Sequence, residues 1–326
     1  MDTKARNSYS YELESEMLKQ VKQILEHIKL TGAYYCSWNK VVTSLLPFKS
    51  PTILLLSYPR SGSSWRGDIL SKSESVAYLR EPIRQPLRAK GGKYTLIDIK
   101  NDPLAYSIYR QLSDEAFQGV PSDPDIINKI HHFSLFHRRT RHLLIKEVNP
   151  KATGLYCQRY CPKILFILRY PAAVALSFAR QGWLESPDTQ LDTGDPDAGL
   201  WEKFGYAYGS TIKNALDIIQ NYCEREIILY ENLALDPEVR FRRIFQSLDI
   251  DIPQDYKEMV QNYFYSQKQA ENNYRTRRIS INLAYEWCEE LLNQKIALLR
   301  KGFTISGLEF YSDATDWHHT KKVNSY

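Results

Sequence analysis

The chain has 326 residues, 43% hydrophobic and 25% charged, an ordinary globular composition that can bury a full core. Its formal net charge of +5 favours small anionic ligands and argues against a nucleic-acid partner, which would need denser phosphate contacts. Five scattered cysteines exclude a disulfide-stapled fold, and the absence of any 18-residue apolar run excludes a spanning helix.

The first twenty residues are polar and charged where a signal peptide would be apolar, so we expect a soluble, cytoplasmic protein with no membrane partner. Cys157 and Cys161 stand four apart without a second cysteine or histidine pair at metal spacing, and read as ordinary thiols. Leu13, Met17, Val21, Leu25 and Ile28, spaced by three and four, predict an amphipathic helix over 11–30. The run TILLLS over 52–57 predicts a buried strand that breaks into a polar turn, 58–65, before a helix.

Further apolar runs at Leu143–Ile145, Ile164–Leu168 and Ile227–Leu229 predict three more buried strands, separated by helical stretches. Such alternation predicts an α/β fold, a central, mostly parallel sheet flanked by helices, with ligands beyond the carboxyl ends of the strands. Residues 181–200 carry Gly, Pro and several Asp without periodicity and read as a mobile loop that could cover an acceptor. Past residue 250 the chain turns helical and charged, with NYRTRRIS at 273–280 leading into a helix from about Leu283 to Leu299. We expect one domain over 1–326: an N-terminal helical segment (1–50), a core (50–250) and a C-terminal helical cap (251–326).

The turn Tyr58-Pro59-Arg60-Ser61-Gly62-Ser63-Ser64-Trp65 is suited to a tetrahedral anion. Backbone N–H groups and the dipole of the following helix attract negative charge, Gly62 lets the backbone approach closely, Arg60 adds a fixed charge, and Ser61, Ser63 and Ser64 add hydroxyl donors. A strand-to-helix connection that merely needs a glycine and polar caps is the plainer alternative. No GxxxxGK[ST] motif is present. The string SYPRSGSSW resembles the 5′-phosphosulfate loop of sulfotransferases that use 3′-phosphoadenosine 5′-phosphosulfate (PAPS), which reads YPKSGTTW or, in the carbohydrate-acting branch, RSGSS. The resemblance implies a P-loop-like sulfotransferase fold in which residues 60–65 hold the phosphosulfate. Arg60 stands where the cytosolic branch has lysine, which favours an electrostatic role over proton donation.

In ILFILRYPAAVALSFARQGW, Arg169 follows a buried strand and Ser177 comes eight residues later, inside a helix begun by Pro171. Alone, Arg169 reads as a surface salt-bridge residue. The pattern resembles the family's 3′-phosphate motif, and two anion sites then suit one nucleotide carrying both groups. ILYENLALDPEVRFRRIF is similar to the family's YEDL segment, implying that Tyr230 lies against the adenine; a tyrosine that simply caps the strand is the alternative. Arg300-Lys301-Gly302 resembles the RKG that holds the 3′-phosphate in cytosolic enzymes, but Gly302 reads better as the C′ glycine closing a helix, and Arg275, Arg277 and Arg278 are an equal source of such contacts.

Sulfuryl transfer needs a base for the acceptor proton. The histidine of the family's KTHLP-like segment is absent, which leaves Glu147, at the end of LLIKEV, and Glu81, in YLREPIRQP, which resembles an EP motif of the carbohydrate branch. His131, His132, His137 and His142, interleaved with Arg138, Arg139 and Arg141, read as a solvated helix face. The expected function is sulfuryl transfer from PAPS to a hydroxyl or amine of a small natural product or carbohydrate, leaving adenosine 3′,5′-bisphosphate (PAP) and needing no metal. The alternatives are a magnesium-dependent nucleotide kinase or NTPase with an atypical phosphate loop, and a non-catalytic anion- or RNA-binding module.

Overall fold

In the run Ile53 to Leu56 every side chain is apolar, which suits a strand buried on both faces. In the computed structural model it forms the middle of a five-stranded, wholly parallel sheet: β1 (Lys49–Ser57), β2 (Val76–Arg80), β3 (His142–Glu147), β4 (Lys163–Leu168) and β5 (Arg225–Leu229), in the order β2-β3-β1-β4-β5. The structure describes residues 43, 45–83, 96, 99, 103–121, 126–127, 129–185, 199–264 and 280–317. The helix read over 11–30, Cys36, most of the loop read over 181–200, and Arg275, Arg277 and Arg278 lie outside the described residues.

Side-chain alternation along the strands feeds two cores. Ile53 and Leu55 of β1, with Leu144 of β3 and Leu165 and Ile167 of β4, face α1 (Ser63–Leu70), and this core continues into α6 (Tyr230–Leu235), α7 (Pro237–Ser247) and α8 (Tyr256–Phe264). Leu54, Leu56, Leu143, Ile145 and Phe166 face the other way, onto α2 (Pro103–Phe117), α3 (Thr153–Tyr160), α4 (Pro171–Arg180) and α5 (Leu200–Tyr222). The chain runs from β1 out to β2, returns through β3, and crosses β1 to β4, so its direction reverses about the central strand. Ligands of open α/β sheets bind beside such a reversal, beyond the carboxyl ends of the strands.

Two expectations for the C-terminal helix change. The helix read over Leu283–Leu299 is three pieces, α9 (Ser280–Tyr285), α10 (Trp287–Glu290) and α11 (Asn293–Ile305). The break falls at Leu291 and Leu292, whose ψ angles of 135° and 141° are extended, and Leu291 leaves the helical path to enter the core. Gly302 therefore does not close a helix. It lies inside α11, where a Cβ would sit 1.9 Å from the Glu202 carbonyl oxygen of α5, while a Cβ on Gly205 would sit 2.1 Å from the Leu299 carbonyl oxygen. The two glycines let the backbones of α5 and α11 touch, and Lys301 pairs with Glu202 at 2.8 Å across the seam. The left-handed glycine past the end of α11 is Gly307, with φ +69°.

The His/Arg stretch is not a solvated helix face. It folds as two 3-10 turns and the start of β3. Arg138 is buried and donates to the carbonyls of Leu46, Gly119 and Gln118, His142 is buried in β3, and buried His132 lies between the Val76 carbonyl and Glu74. These side chains tie loops to the sheet's amino end, and the basic surface that RNA binding would need is correspondingly reduced.

Candidate active site

Beyond Ser57 the chain reverses tightly, with Ser61 N donating to the Tyr58 carbonyl at 3.2 Å. Arg60 and Gly62 both take left-handed conformations, φ 66° and 80°. For arginine that conformation is strained by about 1 kcal/mol or more. Gly62 is required twice over, by its φ and because a Cβ would meet Tyr230 Cε2 at 2.7 Å. The turn feeds directly into α1, whose first N–H groups have no helical partner.

The three loop serines divide by direction. Ser61 is fully buried and its Oγ meets no partner; Ser63 is buried and accepts from Ser57 Oγ at 2.7 Å; Ser64 is partly exposed and accepts from Lys146 Nζ at 3.3 Å. Trp65 is buried edge-on against Tyr230 and Phe241.

Arg169 follows β4, and Pro171 starts α4 at its first turn, as the sequence predicts. The fold brings the two sequence motifs together. Arg60 Nε donates to Ser177 Oγ at 2.7 Å, and Arg169 Nη1 donates to the Arg60 carbonyl at 2.9 Å. Arg169 Nη2 reaches the Leu283 carbonyl at 2.7 Å, and its guanidinium lies 4.5 Å over the Tyr230 ring. Tyr208 OH donates to the Arg169 carbonyl at 2.6 Å and fixes that corner from α5. Tyr230, the first residue of α6, is buried beneath Gly62 with cations stacked on it, so in this state it acts as a wall under the loop. Arg169 is therefore no surface salt-bridge residue; its partners are backbone carbonyls and an aromatic face.

What remains unpaired here is of one kind. Ser61 Oγ, Arg169 Nε, and Nε and Nη2 of Arg66 are buried without a hydrogen-bond partner, and all can donate. A cluster of buried donors and cations fits a polyanion.

The family model described as the sulfotransferase domain matches residues 50–282. The chain belongs to the sulfotransferase family. Its class of reaction is sulfuryl transfer. Among solved structures, a sulfotransferase domain from the curacin biosynthetic pathway is 16% identical over 77% of this chain and 96% of that one, with a TM-score of 0.47. A sulfotransferase domain from the olefin synthase of Synechococcus PCC 7002 is 17% identical over 78% and 94%, TM-score 0.46. A mouse sulfotransferase in complex with PAP is 14% identical over 85% and 91%, TM-score 0.45. No curated protein sequence matches the chain.

The two glutamates of this sulfotransferase lie in different surroundings. Glu81 follows β2 with φ 53°, its N–H on the Lys146 carbonyl at 2.8 Å. Its carboxylate accepts a short contact from Lys146 Nζ, and the same ammonium reaches Ser64, so Glu81, Lys146 and the 58–65 turn form one chain of contacts. Burial pushes Lys146 below the ordinary lysine range, against the pull of Glu81. Glu147 is one residue on from Lys146 along β3 and so faces the opposite side of the sheet; it is wholly buried and accepts the Ile83 N–H at 2.8 Å.

Sequence reasoning missed Lys146 and Arg66. Lysine directly after the apolar run Leu143–Ile145 was the signal for the first, since a lysine buried in a strand needs an anion beside it. Arg66 falls one residue past the motif and offered no signal beyond its charge.

Proposed function

We propose that the enzyme transfers the sulfuryl group of PAPS to a hydroxyl or amine of a small natural product or a carbohydrate. The observation that carries this reading is the set of buried, unpaired donors gathered with Arg60 and Arg169 around a left-handed turn at the amino end of a helix. Residues 60–65 would hold the 5′-phosphosulfate, and Arg169 with Ser177 the 3′-phosphate, with Tyr230 as the wall beneath them. Donors fixed before the ligand arrives need no reorganisation as charge builds on the leaving phosphate.

Glu81 would take the acceptor proton as the new oxygen–sulfur or nitrogen–sulfur bond forms and the bond from sulfur to the leaving phosphate oxygen breaks. Lys146 pairs with that carboxylate and donates to Ser64, which ties the base to the loop. Glu147, inaccessible and committed to the Ile83 N–H, would brace the turn that carries Glu81. Among the described residues no helix is long and apolar enough to cross a membrane, and the described cysteines are unbridged, which supports a reducing, cytoplasmic setting.

The test is calorimetric titration with PAP in EDTA, alongside ATP and an Arg169→Ala variant. Micromolar PAP binding, weakened roughly tenfold or more in Arg169→Ala, is expected. Absence of PAP binding, or binding of ATP that requires magnesium, would overturn the reading in favour of a kinase.

A further inference from the structure

Arg66 lies in the first turn and a half of α1, on its buried side, and is 1% exposed. Its Nη1 donates to the carbonyls of Ser61, at 3.0 Å, and Gly62, at 2.8 Å. The guanidinium lies 4.3 Å over the Trp65 ring and 4.7 Å over the Tyr230 ring. It is aimed at the loop: a Cβ on Gly62 would come within 2.9 Å of Nη1.

Three of this side chain's five N–H donors are unused. Nε and Nη2 are buried and meet no acceptor. Glu231 favours the cation electrostatically, but its oxygens are taken by the Tyr170 N–H at 2.9 Å and the Tyr311 hydroxyl at 2.7 Å, and burial pushes it toward its neutral form. Arg169 opposes the cation from nearby. The net effect holds Arg66 at about 9, far below the ordinary guanidinium range, as expected of a buried charge lacking a counter-anion. For packing alone an apolar side chain would serve better, because an incompletely paired buried ion destabilises a fold that a hydrophobic isostere does not.

We propose that Arg66 is a further anion-binding residue of this site, whose uncommitted Nε and Nη2 donate to the nucleotide co-substrate when its negative charge enters beneath the loop. The proposal rests on the PAPS reading above. It assigns a third guanidinium, beside Arg60 and Arg169, to the same polyanion.

The alternative is that Arg66 only pins the loop carbonyls, and stability separates the two. We expect Arg66→Met to melt at or above the wild-type temperature without ligand, since it removes an uncompensated charge, and to bind PAP roughly ten- to a hundredfold more weakly. Thermal unfolding and calorimetry with PAP, on wild type and variant, read both quantities. A lowered melting temperature with unchanged affinity makes Arg66 a structural strut and overturns the proposal. If Arg66→Met does not fold, Arg66→Lys carries the test: an ammonium holding both carbonyls has one N–H left for the ligand where the guanidinium has three, in a fixed planar fork, so a several-fold loss of PAP affinity is expected, and unchanged affinity overturns the proposal. A wild-type protein that fails to bind PAP at all would instead remove the PAPS reading itself.

Discussion

Glu81 and Glu147 show how little separates two residue roles in sequence and how much in space. Both are glutamates at the carboxyl end of a strand, but one ends in an ion pair that reaches the phosphate loop and the other is sealed on the opposite side of the sheet. Replacing Glu81 by Gln keeps its shape and removes the base, so kcat is expected to fall by about 10²–10⁴ while PAP affinity changes little. Steady-state kinetics with calorimetry checks this, and an undiminished kcat would move the base elsewhere. That the 58–65 turn, Arg169 and Ser177 meet at one corner was legible in sequence because they sit in short strings with fixed spacing. The different surroundings of the two glutamates were not, because they depend on the parity of β3: Lys146 faces α1, so its neighbour must face away. Arg66 was illegible for the related reason that its meaning lies in what fails to surround it.

At the level of elements, four of five strands were readable as apolar runs. β2 was not, because VAYLR is short, ends in a charge and runs straight into the Glu81 turn. The end of α11 was misread for a different reason: a glycine after Arg-Lys looks like a cap in one dimension, whereas Gly302 answers to a helix far away in sequence. A methyl group at Gly302 meets backbone that cannot swing aside, so Gly302→Ala should destabilise the protein by about 2 kcal/mol despite alanine's better helix propensity. Gly154, in α3, is the internal control, since its Cβ would meet only Ile218 Cδ1 at 4.0 Å. Gly154→Ala is expected to stabilise by about 0.5–1 kcal/mol. Urea unfolding of the two variants compares them directly, and equal effects would refute the seam.

For the whole molecule, the proposed nucleotide site joins the carboxyl ends of β1 and β4 to α4, α6 and, through Leu283, α9. Few of these pieces are neighbours in sequence, so a bound nucleotide would cross-link the fold. PAP at a hundredfold excess over its Kd contributes about 2.7 kcal/mol to the folded state and should raise Tm by roughly 5 °C, which thermal unfolding with and without PAP measures. The contact between Arg60 and Ser177 bears on which anions can do this. Before any ligand arrives, this hydrogen bond fixes the separation of the two groups. Because the serine only accepts here, its O–H can still donate outward, so a nucleotide with an anion at each end would engage both groups without separating them. The latch would thus act as a ruler: by fixing arginine and serine at one separation before binding, it would favour a ligand whose two anionic ends match that spacing.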